Sequence, residues 1–238
     1  MRSAPAEIRR RLRALGSPED AAFVARYFKT GKGEYGEGDR FHGVRVGPLR
    51  KLAREFRDVD LDALEQLLDS PWHEERLVAL VIMSNRADDR DVVRLYLRKT
   101  DRINNWDLVD CSARSVIGPN CTPSLLTKLA KSKLLWERRI AIIATQHFIR
   151  DGKFDETLRI ADLLLSDEHD LIHKATGWML REVGNRDRAT LEKFLDTRAP
   201  RMPRTMLRYA IERFPQELRR RYLSIRGESG GSRSSSRR

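Results

Sequence analysis

The chain has 238 residues, a formal net charge of +12 and a sequence pI near 10.1. This length can bury a full core, as one large domain or as a continuous stack of repeats. The basic excess favours polyanionic partners, nucleic acid first and anionic membrane second. Two cysteines are too few for a secreted disulfide framework, and no apolar run approaches a signal core or a membrane span. We therefore expect a soluble protein of a reducing cytosol.

Helix signals recur along the chain. Ser17-Pro18, Ser70-Pro71 and Thr122-Pro123 each place a capping side chain before a proline, an arrangement that starts helices. No convincing run alternates apolar and polar residues, so we predict an all-α fold with few or no strands. Helical apolar spacing is clear in four segments: 49–56, 61–68, 92–97 and 158–165.

The helices show a loose repeat. Arg76, Arg139 and Lys174 each open the central apolar part of a long helix, and Asp110 takes the corresponding place in another. These four anchors are separated by 34, 29 and 35 residues, close to the period of HEAT-type two-helix repeats. We predict a HEAT-like helical-repeat solenoid with a concave basic face over residues 1–226. The alternative is a plain helical bundle, which needs no period.

The C-terminal end concentrates positive charge. Residues 201–238 contain 11 arginines, no lysine and three glutamates, and so carry +8 of the net +12. Guanidinium groups suit phosphate because their donors form a planar fork. Residues 227–238 are rich in Gly, Ser and Arg, and we predict that they form a disordered tail. The tail is either a salt-sensitive phosphate contact or a solubilising segment.

Two motifs do not predict the chemistry they superficially suggest. The segment 31–39 contains the pattern G-x-G-x-x-G at Gly31, Gly33 and Gly36. A dinucleotide-binding loop follows a strand, whereas this one follows a helix and carries acids that repel phosphate, so we predict a flexible loop without a nucleotide. The five histidines lack metal-site spacing, and we expect them on helix surfaces, with no metal bound.

Trp106 and Asp110 lie four residues apart, which places an indole and a carboxylate on one face of a helix. On a helical wheel Trp106 lies at the edge of the apolar stripe and Asp110 lies just beyond it. One interpretation is a site in which both side chains face a ligand. The other is a half-buried tryptophan and a structural ion pair between Asp110 and Arg114. The stripe itself contains Val109, Ala113, Val116 and Ile117.

A second helix repeats this arrangement. Trp178 lies at the edge of its apolar stripe, toward Lys174 and Arg181, and these two cations could follow a duplex backbone. Arg139 lies on an apolar row, so its charge must be paired or exposed in a groove. Trp136 precedes that row and is expected to be a packing residue.

Taken together, these motifs resemble the bacterial AlkD-type DNA alkylation repair glycosylases, which are built from HEAT-like repeats. The resemblance covers most of residues 8–215, and the glycine-rich loop is longer than in the simplest members. The markers are Ala25-Arg26-Tyr27, Phe41-His42-Gly43-Val44 with Pro48 and Arg50, Trp106-Asp107-Leu108-Val109-Asp110, Trp136-Glu137-Arg138-Arg139, and Lys174-Ala175-Thr176-Gly177-Trp178-Met179-Leu180-Arg181-Glu182.

The resemblance implies residue roles. Trp106 and Asp110 match active-site residues of the family, and Trp178 matches a second aromatic wall. Arg139 matches a DNA-contacting residue, and Tyr27 matches an aromatic residue near the lesion.

The resemblance also implies an activity, the excision of cationic N3- and N7-alkylated purines from double-stranded DNA in base excision repair. No metal or organic cofactor is needed. We expect a monomer in the bacterial cytosol, associated with the nucleoid. A non-catalytic binder of branched or damaged DNA remains the main alternative, and a helical scaffold for proteins is the next.

Overall fold

The regular structure is helical throughout residues 3–225, the part of the chain that this computed structural model describes. An isolated β-bridge joins Arg40 and Trp72, and no strand forms within that range. The all-α prediction is therefore confirmed. No helix in this range has both the length and the hydropathy needed to cross a bilayer. The predicted tail, residues 227–238, lies outside the described residues.

The chain divides into two compact units after His147. The first unit contains α1 (Ala4–Leu15), α2 (Pro18–Tyr27), α3 (Val46–Glu55), α4 (Leu61–Leu68), α5 (His73–Ser84), α6 (Arg90–Arg98), α7 (Trp106–Val116), α8 (Pro123–Ala130) and α9 (Leu135–Ala144). The division falls within α10 (Gln146–Arg150). The second unit contains α11 (Asp155–Leu163), α12 (Asp170–Arg186), α13 (Arg188–Arg198), α14 (Arg204–Ala210) and α15 (Gln216–Ser224).

Two of the three predicted helix starts are confirmed. The Ser17 hydroxyl accepts the Asp20 N–H at 3.2 Å, and the Thr122 hydroxyl accepts the Leu125 N–H at 3.2 Å. Both are side-chain N-caps, which satisfy donors that a helix leaves unpaired.

The third predicted start, at Ser70-Pro71, is wrong because α5 begins later, at His73. The backbone before α5 is extended and paired with Arg40: the Arg40 N–H donates to the Pro71 carbonyl at 3.1 Å, and the His73 N–H donates to the Arg40 carbonyl at 2.8 Å. These hydrogen bonds to Arg40 hold the backbone just before α5 in an extended conformation, at the point where the Ser70-Pro71 signal alone would start a helix.

In the first unit α5, α7 and α9 pack in succession, with α4 against α5 and α8 against α9. The apolar stripe of α7 is fully buried, as the wheel predicted. Three of the repeat anchors, Arg76, Asp110 and Arg139, thus lie on consecutive packed helices. The HEAT-type repeat and the concave basic face stay predictions.

The second unit is organised around α12, which packs against α11, α13 and α14. Gly177 allows α12 and α14 to approach closely, because a Cβ there would lie 2.5 Å from the Met206 carbonyl oxygen and 2.5 Å from Tyr209 Cβ. Any larger residue at this position would push α14 away from α12.

Candidate active site on α7 and α9

Asp110 and Arg139 form a bidentate ion pair between α7 and α9. Arg139 Nε donates to Asp110 Oδ1 at 2.8 Å, and Nη2 donates to Oδ2 at 2.7 Å. The Arg139 side chain is 6% exposed and that of Asp110 is 16% exposed. The alternative pairing of Asp110 with Arg114 is therefore wrong. Because α9 packs on α7, the planar guanidinium of Arg139 reaches Asp110 and binds both of its carboxylate oxygens.

This pair sets the electrostatics of the carboxylate. Burial raises the pKa of the Asp110 carboxyl above its ordinary value, while the hydrogen bonds and charge of Arg139 counteract that shift. The result is an acid held in one orientation, mostly out of water, with a small exposed edge. A charge fixed in this way acts on a nearby reacting group without reorganising first.

Trp106 opens α7 and is held at its backbone and its ring. The backbone N–H of Trp106 donates to Asn105 Oδ1 at 2.8 Å, and Asn105 is fully buried. The indole lies against Phe28, with ring centroids 5.2 Å apart, and meets Tyr27 edge to face at 5.9 Å. The structure thus brings together Tyr27 and Trp106, the two aromatic residues that the resemblance assigned to this unit.

Tyr35 is a residue of this site that the sequence did not indicate. The Trp106 indole N–H donates to the Tyr35 hydroxyl at 3.2 Å, and the Tyr35 ring meets Trp136 edge to face at 6.1 Å. Trp136 itself is buried, as expected of a packing residue. The only signal in the sequence was an aromatic residue inside a glycine-rich loop.

The glycine-rich loop does not form a phosphate cradle. The Gly31 N–H donates to the Glu34 carboxylate and the Gly33 N–H donates to the Glu37 carboxylate, both at 2.8 Å. These amides are satisfied by acids of the loop itself, whereas a phosphate-binding loop leaves them open to the ligand.

His73 corrects the expectation that the histidines lie on helix surfaces. It is 2% exposed. Its Nδ1 lies 3.1 Å from Asp39 Oδ2, and its Nε2 lies 2.8 Å from Asp107 Oδ2. Both acids lie 34 residues away in sequence, so local spacing could not reveal them. Burial alone lowers the pKa of the His73 imidazole, but the two carboxylates outweigh it and raise that pKa to about 9.

The buried charges continue from His73 to Arg76. Arg76 Nη2 donates to Asp39 Oδ1 at 2.7 Å. Although burial opposes it, contact with His73 and Arg76 holds the pKa of the Asp39 carboxyl below its ordinary value. This chain of alternating charges joins the end of the glycine-rich loop to Asp107, the residue next to Trp106. These ion pairs therefore hold the first turn of α7 in place through Asp107.

We expect the free energy of unfolding to fall as the pH rises from about 6.5 to about 9, the ordinary and folded-state pKa values of His73. The folded state holds a proton through this interval that the unfolded chain releases, so the stabilising contribution is full below the interval and lost above it. At about 1.4 kcal/mol per pH unit over an interval of about 2.5 pH units, the loss is at most about 3.5 kcal/mol. Urea denaturation at both ends of the interval measures it. A flat profile in the wild-type protein, or an equal slope in His73→Gln, contradicts the assignment.

The predicted residues of the second unit share α12. The Trp178 indole N–H donates to Glu182 Oε1 at 3.0 Å, so the ring is anchored and half-buried. Lys174 pairs with Asp170 at 2.7 Å, and Arg181 pairs with Glu212. Both cations are thus held by acids of their own unit.

These features define an all-helical protein with an acid–guanidinium pair one helical turn from an indole. The chain belongs to the DNA alkylation repair enzyme family, whose sequence profile matches residues 8–214. The resemblance drawn from the motifs is confirmed at the level of the family, and the chain's role lies in the repair of alkylated DNA. No curated protein sequence matches the chain significantly.

Several solved structures match this chain. A predicted DNA alkylation repair enzyme from Enterococcus faecalis superimposes with a TM-score of 0.70 at 18% identity, over 84% of this chain and 97% of that one. The smu.31 protein from Streptococcus mutans UA159 gives a TM-score of 0.47 at 16% identity, over 82% of this chain and 90% of that one. At these identities the first likeness supports the fold alone.

Proposed function

We propose that this protein is a DNA glycosylase that hydrolyses the N-glycosidic bond of cationic N3- and N7-alkylated purines in double-stranded DNA. The observation that carries the proposal is the bidentate Asp110–Arg139 pair, one helical turn from Trp106 on α7, in a chain of the DNA alkylation repair enzyme family. We further propose that it acts as a monomer in base excision repair, without a metal or organic cofactor.

The chemistry follows from the charge of the lesion. An alkylated purine leaves as a neutral molecule, so no general acid is required. Positive charge develops on the deoxyribose in an oxocarbenium-like transition state, which the Asp110 carboxylate stabilises. The same carboxylate can position the attacking water. The face of Trp106 attracts the cationic base, and Tyr27 lies next to it.

Arg139 has two roles in this proposal. It fixes both oxygens of Asp110, and its positive charge favours a DNA phosphate near the lesion. In the second unit we propose that Trp178 contacts the lesion and that Lys174 and Arg181 contact phosphates. Removing such a phosphate contact lowers the salt dependence of DNA binding by about one unit in the log–log slope.

Excision should depend on the charge of the base. Purified protein incubated with duplex DNA containing N7-methylguanine or N3-methyladenine is expected to release the free base. Uracil and hypoxanthine should stay in place, because neutral bases need a proton donor that the proposed site does not offer. Chromatography of the released bases measures both outcomes. Efficient uracil release would contradict the mechanism.

One observation favours a second candidate function, a non-catalytic binder of damaged or branched DNA. Arg139 compensates the charge of Asp110, and a fully compensated acid stabilises a developing cation less well. Such a binder would show steeply salt-dependent DNA affinity but no base release. The release assay therefore separates the two functions.

A further inference from the structure

A cavity of 350 Å³ lies in the first unit, under α2 and beside α5. Its volume falls within the range of about 300–1,000 Å³ that is typical of small-ligand sites. The ion pair of Asp110 and Arg139 does not contribute to its lining. Its walls are largely apolar and include Phe23, Val24, Phe28, Phe41, Val44 and Val46.

One aromatic residue of the cavity lining, Phe23, is 62% exposed. Its ring lies nearly parallel to that of Tyr27, which is 57% exposed, at 6.4 Å between centroids and an interplanar angle of 11°. No residue of α2 is fully buried. The two large aromatic rings of α2 are thus exposed to solvent and are not packed in the core of the unit. Exposed aromatic groups of this kind mark binding surfaces.

The cavity shares a wall with the candidate active site. Phe28 lines the cavity, and its ring centroid lies 5.2 Å from that of Trp106. Asp107, the next residue after Trp106, also lines the cavity. DNA bound at Trp106 would therefore bring its nearest nucleotides to the rim.

The charges around the cavity disfavour phosphate. Its lining holds three acids and two cations, which is a local excess of negative charge in a protein of net charge +12. Each acid is already engaged: Glu74 accepts the backbone N–H groups of residues 42–44, Asp107 binds His73, and Asp20 binds Arg45. A flat uncharged ring suits these apolar walls, whereas the net negative charge of the lining would repel a phosphate.

We propose that this cavity and Phe23 hold an unpaired nucleobase of the bound DNA. The inference rests on the proposed function in that DNA is the ligand, and it adds a base-stacking site outside the catalytic residues. Stacking on an aromatic side chain contributes binding energy without requiring a particular base, since every base has a flat face. A protein partner would use the same apolar surface without any preference among DNA structures.

The test compares two duplexes of one sequence, one fully paired and one with an adenine opposite a stable abasic-site analogue. Fluorescence anisotropy at fixed salt gives both dissociation constants for the full-length protein. The wild-type protein should prefer the unpaired adenine by about 5- to 100-fold, the scale of one base–aromatic stack. Phe23→Leu keeps the apolar bulk but should lose this preference, whereas Phe23→Tyr keeps the ring and should retain it.

Leu15→Ala is the matched control, because Leu15 is an apolar residue of α1 that is 45% exposed and does not line the cavity. It should keep the wild-type preference. All three side-chain changes lie at exposed positions, so melting temperatures should stay unchanged. A wild-type protein without preference, a Phe23→Leu variant that keeps it, or equal weakening of both duplexes overturns the stacking site. Base release from N7-methylguanine DNA is measured separately, so release without preference rejects this inference alone.

Discussion

Asp110→Asn is expected to slow the release of N7-methylguanine by about 10²-fold or more, the scale seen when one preorganised electrostatic group is lost. Asparagine keeps the size of the side chain and part of its hydrogen bonding to Arg139, but it removes the negative charge. The developing sugar cation then loses its main stabilising partner. DNA affinity should stay equal or rise, because Arg139 no longer has a compensating anion and one repulsion with phosphate disappears.

Single-turnover base release and DNA affinity, measured on the same preparation, test this expectation. Asp91→Asn is the charge-matched control, because Asp91 is an exposed acid of α6 that pairs with Arg94. It should release base at the wild-type rate. A wild-type rate with Asn at position 110 removes Asp110 from the mechanism and favours the non-catalytic DNA binder.

Local sequence patterns predicted the helices well. Apolar spacing at 61–68 coincides with α4, and capping by Ser17 and Thr122 is observed. These features depend on contacts within one or two helical turns, which sequence spacing encodes directly. The start of α5 was misplaced because pairing with Arg40, a contact between distant segments, overrides the Ser70 signal.

The candidate site shows the same division between local and distant contacts. The wheel positions of Trp106 and Asp110 were predictable, and so was the need to pair or expose Arg139. The identity of the partner was not, since Arg139 lies 29 residues from Asp110 and reaches it only through the packing of α9 on α7. Tyr35 was missed because no periodicity describes where a loop folds back.

Replacing Arg139 by methionine is expected to cost about 3–5 kcal/mol of unfolding free energy near neutral pH, since it leaves a buried carboxylate without its partner. Methionine fills much of the same volume, so the loss is electrostatic rather than a cavity effect. Without the guanidinium, burial raises the pKa of Asp110 further. The variant should therefore be least stable above that pKa and recover as acid neutralises the carboxyl.

A double-mutant cycle makes this expectation specific to the pair. Adding Asp110→Leu to Arg139→Met removes the unpaired charge, and a well-packed apolar replacement of a buried ion pair is often neutral in stability. The double variant should thus be more stable than Arg139→Met alone, while base release should be slow, as in Asp110→Asn, because the carboxylate is absent. Urea denaturation of the four proteins gives the coupling energy. If Arg139→Met alone costs no more than about 1 kcal/mol, as an exposed pair would, Asp110 is solvated in the folded protein. The preorganised carboxylate on which the proposed mechanism depends would then be absent.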